Sequence, residues 1–325
     1  MSIVDPGAPD RATVSVVIVT IGRPRQLAAS LESYARLAEG TPPFEVIVVL
    51  DGFNAETEAV ARRPYPFPVS VKSQPHAGIG PAKNLGASAA TGDLLLFLND
   101  DTRPDPLCLR AHVDAQERFG PTIALGRIDW DPAREVTPYM AWLAPAGHQF
   151  NFTRLREDDL IPWDACWGAH LALPRPWLLD EPFDPNLPYS AIEDGEWAYR
   201  QALRGRPIRY VPAARVLHDH LATGPRDFRG RARGAGATAR YVARRHPGLV
   251  VPLLLRPAVT AVAATLLMAW PGRWRRTAVW DLDYRWAYVT GLLAPSRSVA
   301  SNRPGERLVA DATGRARHSS RDKPA

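Results

Sequence analysis

The chain has 325 residues, of which 46% are hydrophobic, and this content excludes a protein that is disordered along its whole length. Cys108 and Cys166 are too few cysteines for a disulfide framework or a four-ligand zinc site, and the N-terminus lacks the pattern of a signal peptide. We therefore expect one large α/β domain with an appendage, in a reducing, cytoplasmic compartment.

The net charge of +6 is distributed unevenly along the chain. Residues 1–200 carry 17 Lys and Arg against 27 Asp and Glu, whereas residues 201–325 carry 23 against 7. This division predicts an acidic catalytic part and a basic part that meets an anionic partner such as a membrane surface. No nucleic-acid-binding motif accompanies the basic part, so no nucleic acid partner is expected.

The first 130 residues alternate between strand and helix patterns. β-branched residues dominate the strands, and Pro24 stands where it can start a helix. The predicted elements are strands at 14–20, 44–50, 69–73, 94–98 and 122–130, helices at 24–38, 54–63, from 81 and at 105–119, and then strands at 167–173, 208–211 and 215–217 with a helix at 191–204. The alternation predicts an α/β fold with a doubly wound, mainly parallel sheet.

Three polar residues, Asn99, Asp100 and Asp101, follow the wholly apolar strand at 94–98. Ligands of open α/β sheets bind outside the carboxyl ends of the strands, and adjacent carboxylates repel each other unless a cation lies between them. Hard oxygen ligands favour Mg²⁺ or Mn²⁺ held together with substrate phosphates. The stretch therefore predicts a metal-diphosphate site; the alternative is that Asp101 merely caps the helix that follows.

A glycine-rich loop precedes the helix that starts at Pro81. Gly78 and Gly80 make the loop flexible, and Lys83 and Asn84 lie in the first turns of the helix, so a cation and an amide face the same crevice. The spacing lacks the third glycine of a dinucleotide fingerprint, and the loop follows the third strand rather than the first. We therefore discount a nicotinamide-dependent oxidoreductase.

Two further signals lie near residue 200. Glu193 and Asp194 begin a helix, where they present a base on a rigid helix end or, alternatively, only complement the helix dipole. His218 ends the last predicted strand, where it is a metal ligand, a diphosphate contact or a solvated side chain.

Over residues 13 to 220, this ordered set of motifs resembles the family 2 glycosyltransferases of the GT-A fold. The resemblance predicts a catalytic domain at 12–225. The motifs that carry it are SVVIVT, VIVVLDG, GPAKNLGASAATGDLLLFLNDDTRPDP, WGAHLALPR and EDGEWAYRQALRGRPIRYVPAARVLHDH.

The resemblance assigns roles to individual positions. On the donor side it implies nucleotide-sugar contacts by Thr20, Asp51, Lys83 and Asp100 and metal coordination by Asp101. From their positions in the chain we add Asn84 as a nucleotide-sugar contact and His218 as a metal ligand. On the acceptor side it implies a general base at Asp194, supported by Glu193, and a strand motif of Trp167, Gly168 and His170. The sequence departs from the family pattern at Asn99, which replaces an acid, at Asp51, which stands alone where many relatives have two acids, and at His170, where Asn is usual.

The implied reaction is inverting, metal-dependent transfer of a sugar from a nucleotide-diphospho-sugar to a hydroxyl of a glycan or lipid-linked acceptor. Mg²⁺ or Mn²⁺ would neutralise the departing diphosphate, and one base without a covalent sugar-enzyme step would give inversion. The alternative is a non-catalytic protein of the same fold that binds nucleotide-sugar or membrane as an assembly partner.

Residues 226–294 form a basic, apolar and aromatic extension, predicted to be helical. Its apolar stretch is interrupted by Pro252, Arg256 and Pro257, and the remainder from Ala258 is shorter than a membrane span requires. We expect a peripheral amphipathic element on the inner face of the membrane, or helices that pack on the catalytic domain or on a second subunit of a homodimer. The leader (1–11) and the tail (295–325) are expected to be disordered.

Overall fold

The computed structural model describes residues 13–145, 147, 149–189, 191–219, 224–268 and 276–294. The expected disordered leader and tail lie outside these ranges. One sheet of eight strands has the order β3-β2-β1-β4-β7-β6-β8-β5. The strands are β1 (Val14–Thr20), β2 (Phe44–Asp51), β3 (Val69–Gln74), β4 (Leu94–Asn99), β5 (Thr102–Pro104), β6 (Ile123–Trp130), β7 (His170–Pro174) and β8 (Ile208–His218).

Half of the sheet is a parallel α/β unit, as predicted. β1 pairs in parallel with both β2 and β4, and β2 pairs in parallel with β3. β7 then runs antiparallel to both β4 and β6, and β5 runs antiparallel to β8. Five of the six residues of β4 are buried, which agrees with the apolar run expected for a strand covered on both faces.

Ten α-helices are described around the sheet. They are α1 (Pro24–Tyr34), α2 (Ala55–Ala61), α3 (Ile79–Ala89), α4 (Cys108–Phe119), α5 (Pro138–Leu143), α6 (Arg175–Asp180), α7 (Glu193–Leu203), α8 (Pro225–Arg245), α9 (Arg256–Met268) and α10 (Arg276–Leu293). At Gly86 of α3, an added Cβ would lie 2.3 Å from a methyl of Val17. A glycine is therefore needed where this helix crosses the sheet.

Several helices are a few residues shorter than predicted, such as Pro24–Tyr34 where 24–38 was expected, and two strands differ more clearly from the sequence prediction. β7 begins at His170 rather than Trp167, because the preceding residues form a turn. β8 is one continuous strand rather than two short ones, since the pairing with β6 resumes after a register shift opposite Gly126 and Arg127. Residues 212–214, which looked like a break between two strands, lie at this irregularity within one strand.

The C-terminal extension, here residues 224–294, packs on the sheet domain, here residues 13–219. Tyr241 donates a hydrogen bond from its hydroxyl to Asp184 at 3.1 Å, and His246 Nε2 lies 3.0 Å from Glu196 Oε1. α8 and α10 touch through their backbones, because a Cβ at Gly236 would lie 2.0 Å from the Tyr288 carbonyl oxygen. Of the arrangements predicted for the extension, the structure shows helices packed on the sheet domain. α8 contacts that domain directly, and α10 packs on α8.

The apolar stretch forms one continuous helix from Pro247 to Met268, so the expected interruption at the prolines is wrong. Pro257 has no N–H for the carbonyl of Leu253, and that carbonyl instead accepts a hydrogen bond from the Tyr288 hydroxyl at 3.0 Å. The local turn is π-helical at Val251–Leu255. Among the described residues, this 22-residue helix alone is long and apolar enough to cross a membrane, judged by length and composition.

Candidate active site

The carboxyl ends of β1 and β4 bring Thr20 and Asp100 together. The register pairs Val19 with Asn99, so the next residue of each strand emerges at the same edge of the sheet. Thr20 donates a hydrogen bond from Oγ1 to Asp100 Oδ2 at 2.6 Å, and both side chains are buried. The structure thus brings together two residues that were each predicted to contact the nucleotide-sugar.

Arg23, in the turn after β1, bridges the two adjacent carboxylates. Its Nη1 donates to Asp100 Oδ1 at 2.8 Å and its Nη2 donates to Asp101 Oδ2 at 2.6 Å. Burial raises the pKa of Asp100 to about 6, a shift that the Arg23 guanidinium opposes and that the charge of Asp101 reinforces. Arg23 was not among the predicted site residues, although a cation after the first strand lies at the same sheet edge as the acids.

His218, the last residue of β8, lies close to Asp101. Its Nε2 lies 3.3 Å from Asp101 Oδ1, and its ring stacks on Trp130 with centroids 5.3 Å apart. In an octahedral Mg²⁺ site with bonds of about 2.1 Å, neighbouring ligand atoms are about 3.0 Å apart. The carboxylate and imidazole atoms therefore fit a single divalent ion, on the side of Asp101 opposite the oxygen that Arg23 holds.

Asp51, at the end of β2, organises the loop that leads to α3. Its carboxylate accepts hydrogen bonds from Gln74 Nε2 at 2.9 Å and from the N–H groups of Ala77 at 2.8 Å and Gly78 at 2.9 Å. His76 Nδ1 lies 2.8 Å from the same carboxylate. Asp51 was expected to contact the nucleotide; in the structure its oxygens hold the loop that forms one wall of the cleft.

A cleft of about 350 Å³ lies outside these strand ends. Its far wall includes Tyr189 and Arg231, and Arg231 comes from α8 of the C-terminal extension. The basic extension thus contributes a cation to the cleft, which the charge asymmetry alone could not locate. The lining residues are Val19, Thr20, Ile21, Arg23, Asp51, His76, Ala77, Gly78, Ile79, Asn99, Asp100, Leu187, Pro188, Tyr189, Ala191 and Arg231.

A second acidic cluster lies at the start of α7. Asp194 accepts hydrogen bonds from the N–H of Gly168 at 2.7 Å, through Oδ2, and from the N–H of Gly195 at 2.8 Å, through Oδ1. Glu193 is buried, with Oε1 3.7 Å from Lys83 Nζ. A Cβ at Gly168 would lie 2.4 Å from that same Nζ atom. The cluster thus joins three predicted elements, although Lys83 faces Glu193 and is not among the residues that line the cleft.

Burial, reinforced by the charge of Asp194, raises the pKa of Glu193 to about 7, although Lys83 opposes the shift. Because the folded pKa exceeds the unfolded one, native protein binds the proton more tightly, so stability should fall as pH rises from about 4.5 to 7. Glu193→Gln should remove this pH dependence, which amounts to up to about 3 kcal/mol in the free energy of unfolding. Urea unfolding at pH 5 and pH 8 checks the prediction; parallel pH profiles for the variant and wild type would contradict it.

The side chains of Asn84 and His170 are used in contacts within the protein, so their expected roles in donor and acceptor binding are corrected. The side-chain amide of Asn84 makes two hydrogen bonds to the backbone of Phe183. Its Nδ2 donates to the Phe183 carbonyl oxygen at 2.9 Å, and its Oδ1 accepts from the Phe183 N–H at 3.0 Å. His170 is fully buried beside His112, with the two Nε2 atoms 2.9 Å apart. Trp167 is partly exposed and packs its ring edge-to-face on Phe152 at 5.1 Å.

Residues 15–173, just under half of the chain, match the family model described as Glycosyl transferase family 2. The pre-mycofactocin glycosyltransferase of Mycobacterium tuberculosis is 28% identical over 279 residues, which cover 82% of this chain and 53% of that protein. An uncharacterized glycosyltransferase of Haemophilus influenzae is 34% identical over 89 residues, 27% of this chain and 29% of that protein. The chain thus spans about half the length of the mycobacterial relative.

Solved structures share the architecture. The mannosyltransferase PcManGT of Pyrobaculum calidifontis, in complex with GDP-Man and Mn²⁺, is similar with a TM-score of 0.57 at 18% identity, over 96% of this chain and 83% of that chain. S. aureus TarS 1-349 is similar with a TM-score of 0.51 at 16% identity, over 95% and 94%. These likenesses establish the GT-A fold, and within that fold residues 15–173 are similar to glycosyltransferase family 2.

Proposed function

We propose that this protein is an inverting glycosyltransferase that depends on a divalent metal and moves a sugar from a nucleotide-diphospho-sugar to a hydroxyl of a glycan or lipid-linked acceptor. The observation that carries the proposal is the meeting of two acidic clusters at one sheet edge. Asp100 and Asp101 follow β4, and Gly168 with its bonded Asp194 precedes β7. Since β4 and β7 are antiparallel neighbours, the end of one lies beside the start of the other.

The cleft is proposed to hold the nucleotide and diphosphate of the donor. Its volume falls in the range of small-molecule sites, and Thr20 and Asp51 lie in its wall. Nucleotide sugars accompany the structural neighbours: GDP-Man is named for PcManGT, and UDP and UDP-GlcNAc for TarS. These ligands support a nucleotide-sugar donor here and leave the base and the sugar open.

Asp101 and His218 would hold Mg²⁺ or Mn²⁺. Such an ion supplies positive charge that stabilises a departing diphosphate. Arg23 fixes the orientation of Asp100 and Asp101 through its two hydrogen bonds, so that the remaining atoms of Asp101 face His218. Arg231 adds a second positive charge at the cleft wall.

Asp194 is proposed to be the general base. The N–H groups of Gly168 and Gly195 hold its carboxylate in one orientation, and the side chain is half-buried rather than enclosed. It would take the proton of the acceptor hydroxyl while the hydroxyl oxygen bonds to the anomeric carbon and the bond from that carbon to the diphosphate oxygen breaks. Attack from the face opposite the leaving group inverts the configuration.

Turnover of a donor panel tests the proposal. UDP-, GDP- and dTDP-sugars are incubated with Mn²⁺ or Mg²⁺ and with glycan and lipid-extract acceptors, and release of nucleoside diphosphate is measured. Metal-dependent release with inverted anomeric configuration in the product, read by NMR, is the expected result, and retained configuration would refute inversion. Nucleotide binding without turnover of any donor would favour the alternative, a non-catalytic nucleotide-sugar-binding or assembly protein.

Arg231→Ala should raise the KM for the donor about tenfold, because a hydrogen bond to a charged group contributes about 1.5 kcal/mol or more. Initial rates over a range of donor concentrations check this prediction. Arg244→Ala is the matched control, since it removes the same charge from the same helix at an exposed position that does not line the cleft. Equal KM values for the two variants would contradict a role for Arg231 in donor binding.

We further propose that the extension meets a membrane surface, consistent with a cytoplasmic enzyme acting on a lipid-linked acceptor at the inner face. The helix Pro247–Met268 has only 11% of its apolar window buried. Its exposed apolar residues recur at helical spacing and give it an apolar outer face. They are Val251, Leu255, Val259, Val262, Leu266 and Leu267.

Wild-type protein should co-sediment with anionic phospholipid vesicles at low salt, and the double variant Val259→Asp, Leu266→Asp should stay in the supernatant. The two residues are 67% and 70% exposed, so the substitutions should leave the fold intact. Leu203→Asp on α7, at a residue that is 68% exposed, is the matched control and should sediment like wild type. Wild-type protein that remains in the supernatant would refute the membrane proposal.

A further inference from the structure

One cysteine and two histidines, side chains that can bind a metal ion, lie together inside the sheet domain and away from the cleft. Cys108 and His112 are one turn apart on α4, and His170 reaches them from β7. All three residues are fully buried. One ligand atom from each lies within 4.8 Å of the other two. The cluster contributes nothing to the proposed transfer reaction, so its chemistry needs a separate explanation.

One distance within the cluster matches an edge of a tetrahedral zinc site, and a second is shorter than such an edge. Zinc bonds of about 2.3 Å to sulfur and 2.05 Å to nitrogen place S and N about 3.6 Å apart and two nitrogens about 3.3 Å apart. Cys108 Sγ lies 3.6 Å from His170 Nε2, and His112 Nε2 lies 2.9 Å from the same atom. The first distance agrees with the expected edge, and the second is shorter by about 0.4 Å.

The surroundings of His170 resemble those of a metal-ligating histidine. Its Nδ1 lies 3.1 Å from the carbonyl oxygen of Arg127. Because a carbonyl oxygen only accepts, Nδ1 carries the proton, and the lone pair of Nε2 faces the cluster. A Cβ at Gly126 would lie 2.1 Å from the ring, so only a glycine at this position leaves room for the imidazole.

His112 also has a ring nitrogen that the protein leaves without a partner. Its Nδ1 is buried without a hydrogen bond among the described residues. The other ring nitrogen, Nε2, faces Nε2 of His170.

We propose that Cys108, His112 and His170 bind one Zn²⁺ ion that fastens α4 to β7. On binding, the Cys108 thiol loses its proton to solvent and a Zn–S bond forms, while the two imidazoles coordinate as neutral ligands. His170 pairs with Leu98, the residue just before the Asn99 to Asp101 turn. The ion would therefore secure the strand next to the one that carries the candidate active-site carboxylates, without taking part in transfer.

Refolding the untagged full chain with Co²⁺ in place of zinc tests the proposal, since the site is enclosed and would fill during folding. We expect one equivalent of cobalt with a thiolate-to-cobalt charge-transfer band. The charge-transfer band distinguishes this site from Asp101 and His218, which offer no sulfur. Absence of the band from natively refolded wild type would overturn the proposal.

Cys108→Ser should lose the charge-transfer band, whereas Cys166→Ser, which alters the other buried cysteine, should keep it. A band that survives in Cys108→Ser would also overturn the assignment. If Cys108→Ser fails to fold, the wild-type spectrum and zinc content still decide, because protein purified without chelators should hold one zinc per chain. Zinc below one tenth of an equivalent in folded wild type, with no uptake on refolding, would mean that the three side chains form only a hydrogen-bonded cluster.

Discussion

Asp194→Asn should lower kcat by about 10²- to 10⁴-fold while leaving the KM for the donor within about twofold. The substitution keeps the size of the side chain but removes the base, and its amide nitrogen would oppose one of the N–H groups of Gly168 and Gly195. The donor contacts lie in the cleft, whose lining does not include Asp194. Steady-state kinetics with the donor identified from the panel checks the prediction.

Asp180→Asn is the control for this experiment. Asp180 is an exposed acid at the end of α6 that pairs with Arg204 and Arg206 on the surface, so its loss should change kcat by less than about twofold. A kcat for Asp194→Asn within about tenfold of wild type, in a variant with a native circular dichroism spectrum, would remove Asp194 from the role of base. The search for a base would then turn to Glu193.

The parallel half of the sheet could be predicted because its inner strands are mostly apolar on both faces. Leu94–Asn99 is apolar up to its last residue, and in Val14–Thr20 the polar residues are Ser15 and the terminal Thr20. The same logic located Asp100 and Asp101 at the ligand edge. His218 could also be expected at this edge, and it lies near Asp101 because β8 pairs with β5, the short strand that follows Asp101.

The direction of individual side chains could not be predicted, because it depends on contacts between distant parts of the chain. Asn84 lies on the correct helix, but its amide is used by the Phe183 backbone 99 residues away. His170 lies in the expected motif, yet its ring enters the interior where Gly126 leaves space. Arg23 was overlooked because nothing local marks a turn arginine as the partner of two acids nearly 80 residues later.

The helix Pro247–Met268 shows that the backbone, too, depends on contacts with distant parts of the chain. Pro257 and Arg256 predict a break, and local rules give no way to satisfy the carbonyl left without a donor. The Tyr288 hydroxyl supplies that donor from another helix. Interruption of an apolar segment by proline is therefore a poor criterion where a neighbouring helix can complete the hydrogen bonding, and the length of the segment has to be judged from the packed structure.

Asp101→Ala should lower kcat/KM for the donor by at least about 10²-fold and abolish the dependence of turnover on added Mn²⁺ or Mg²⁺. The change removes the oxygen that faces His218 and one of the two carboxylates held by Arg23, while Asp100 still binds that guanidinium. Loss of metal-stabilised charge on the diphosphate, rather than loss of the fold, is the expected cause. Rates measured over a metal titration, beside circular dichroism spectra, separate the two effects.

His218→Ala should have a smaller effect, raising the metal concentration for half-maximal rate while leaving kcat at saturating metal within about tenfold, because the carboxylate of Asp101 remains. Asp114→Ala, which removes an exposed acid paired with Arg110 on α4, should behave like wild type. If Asp101→Ala kept the metal dependence of wild type, the ion would bind at a site other than Asp101. Arg23 would then be the cation that serves the two carboxylates, and charge on the departing diphosphate would have to be met by protein cations such as Arg231.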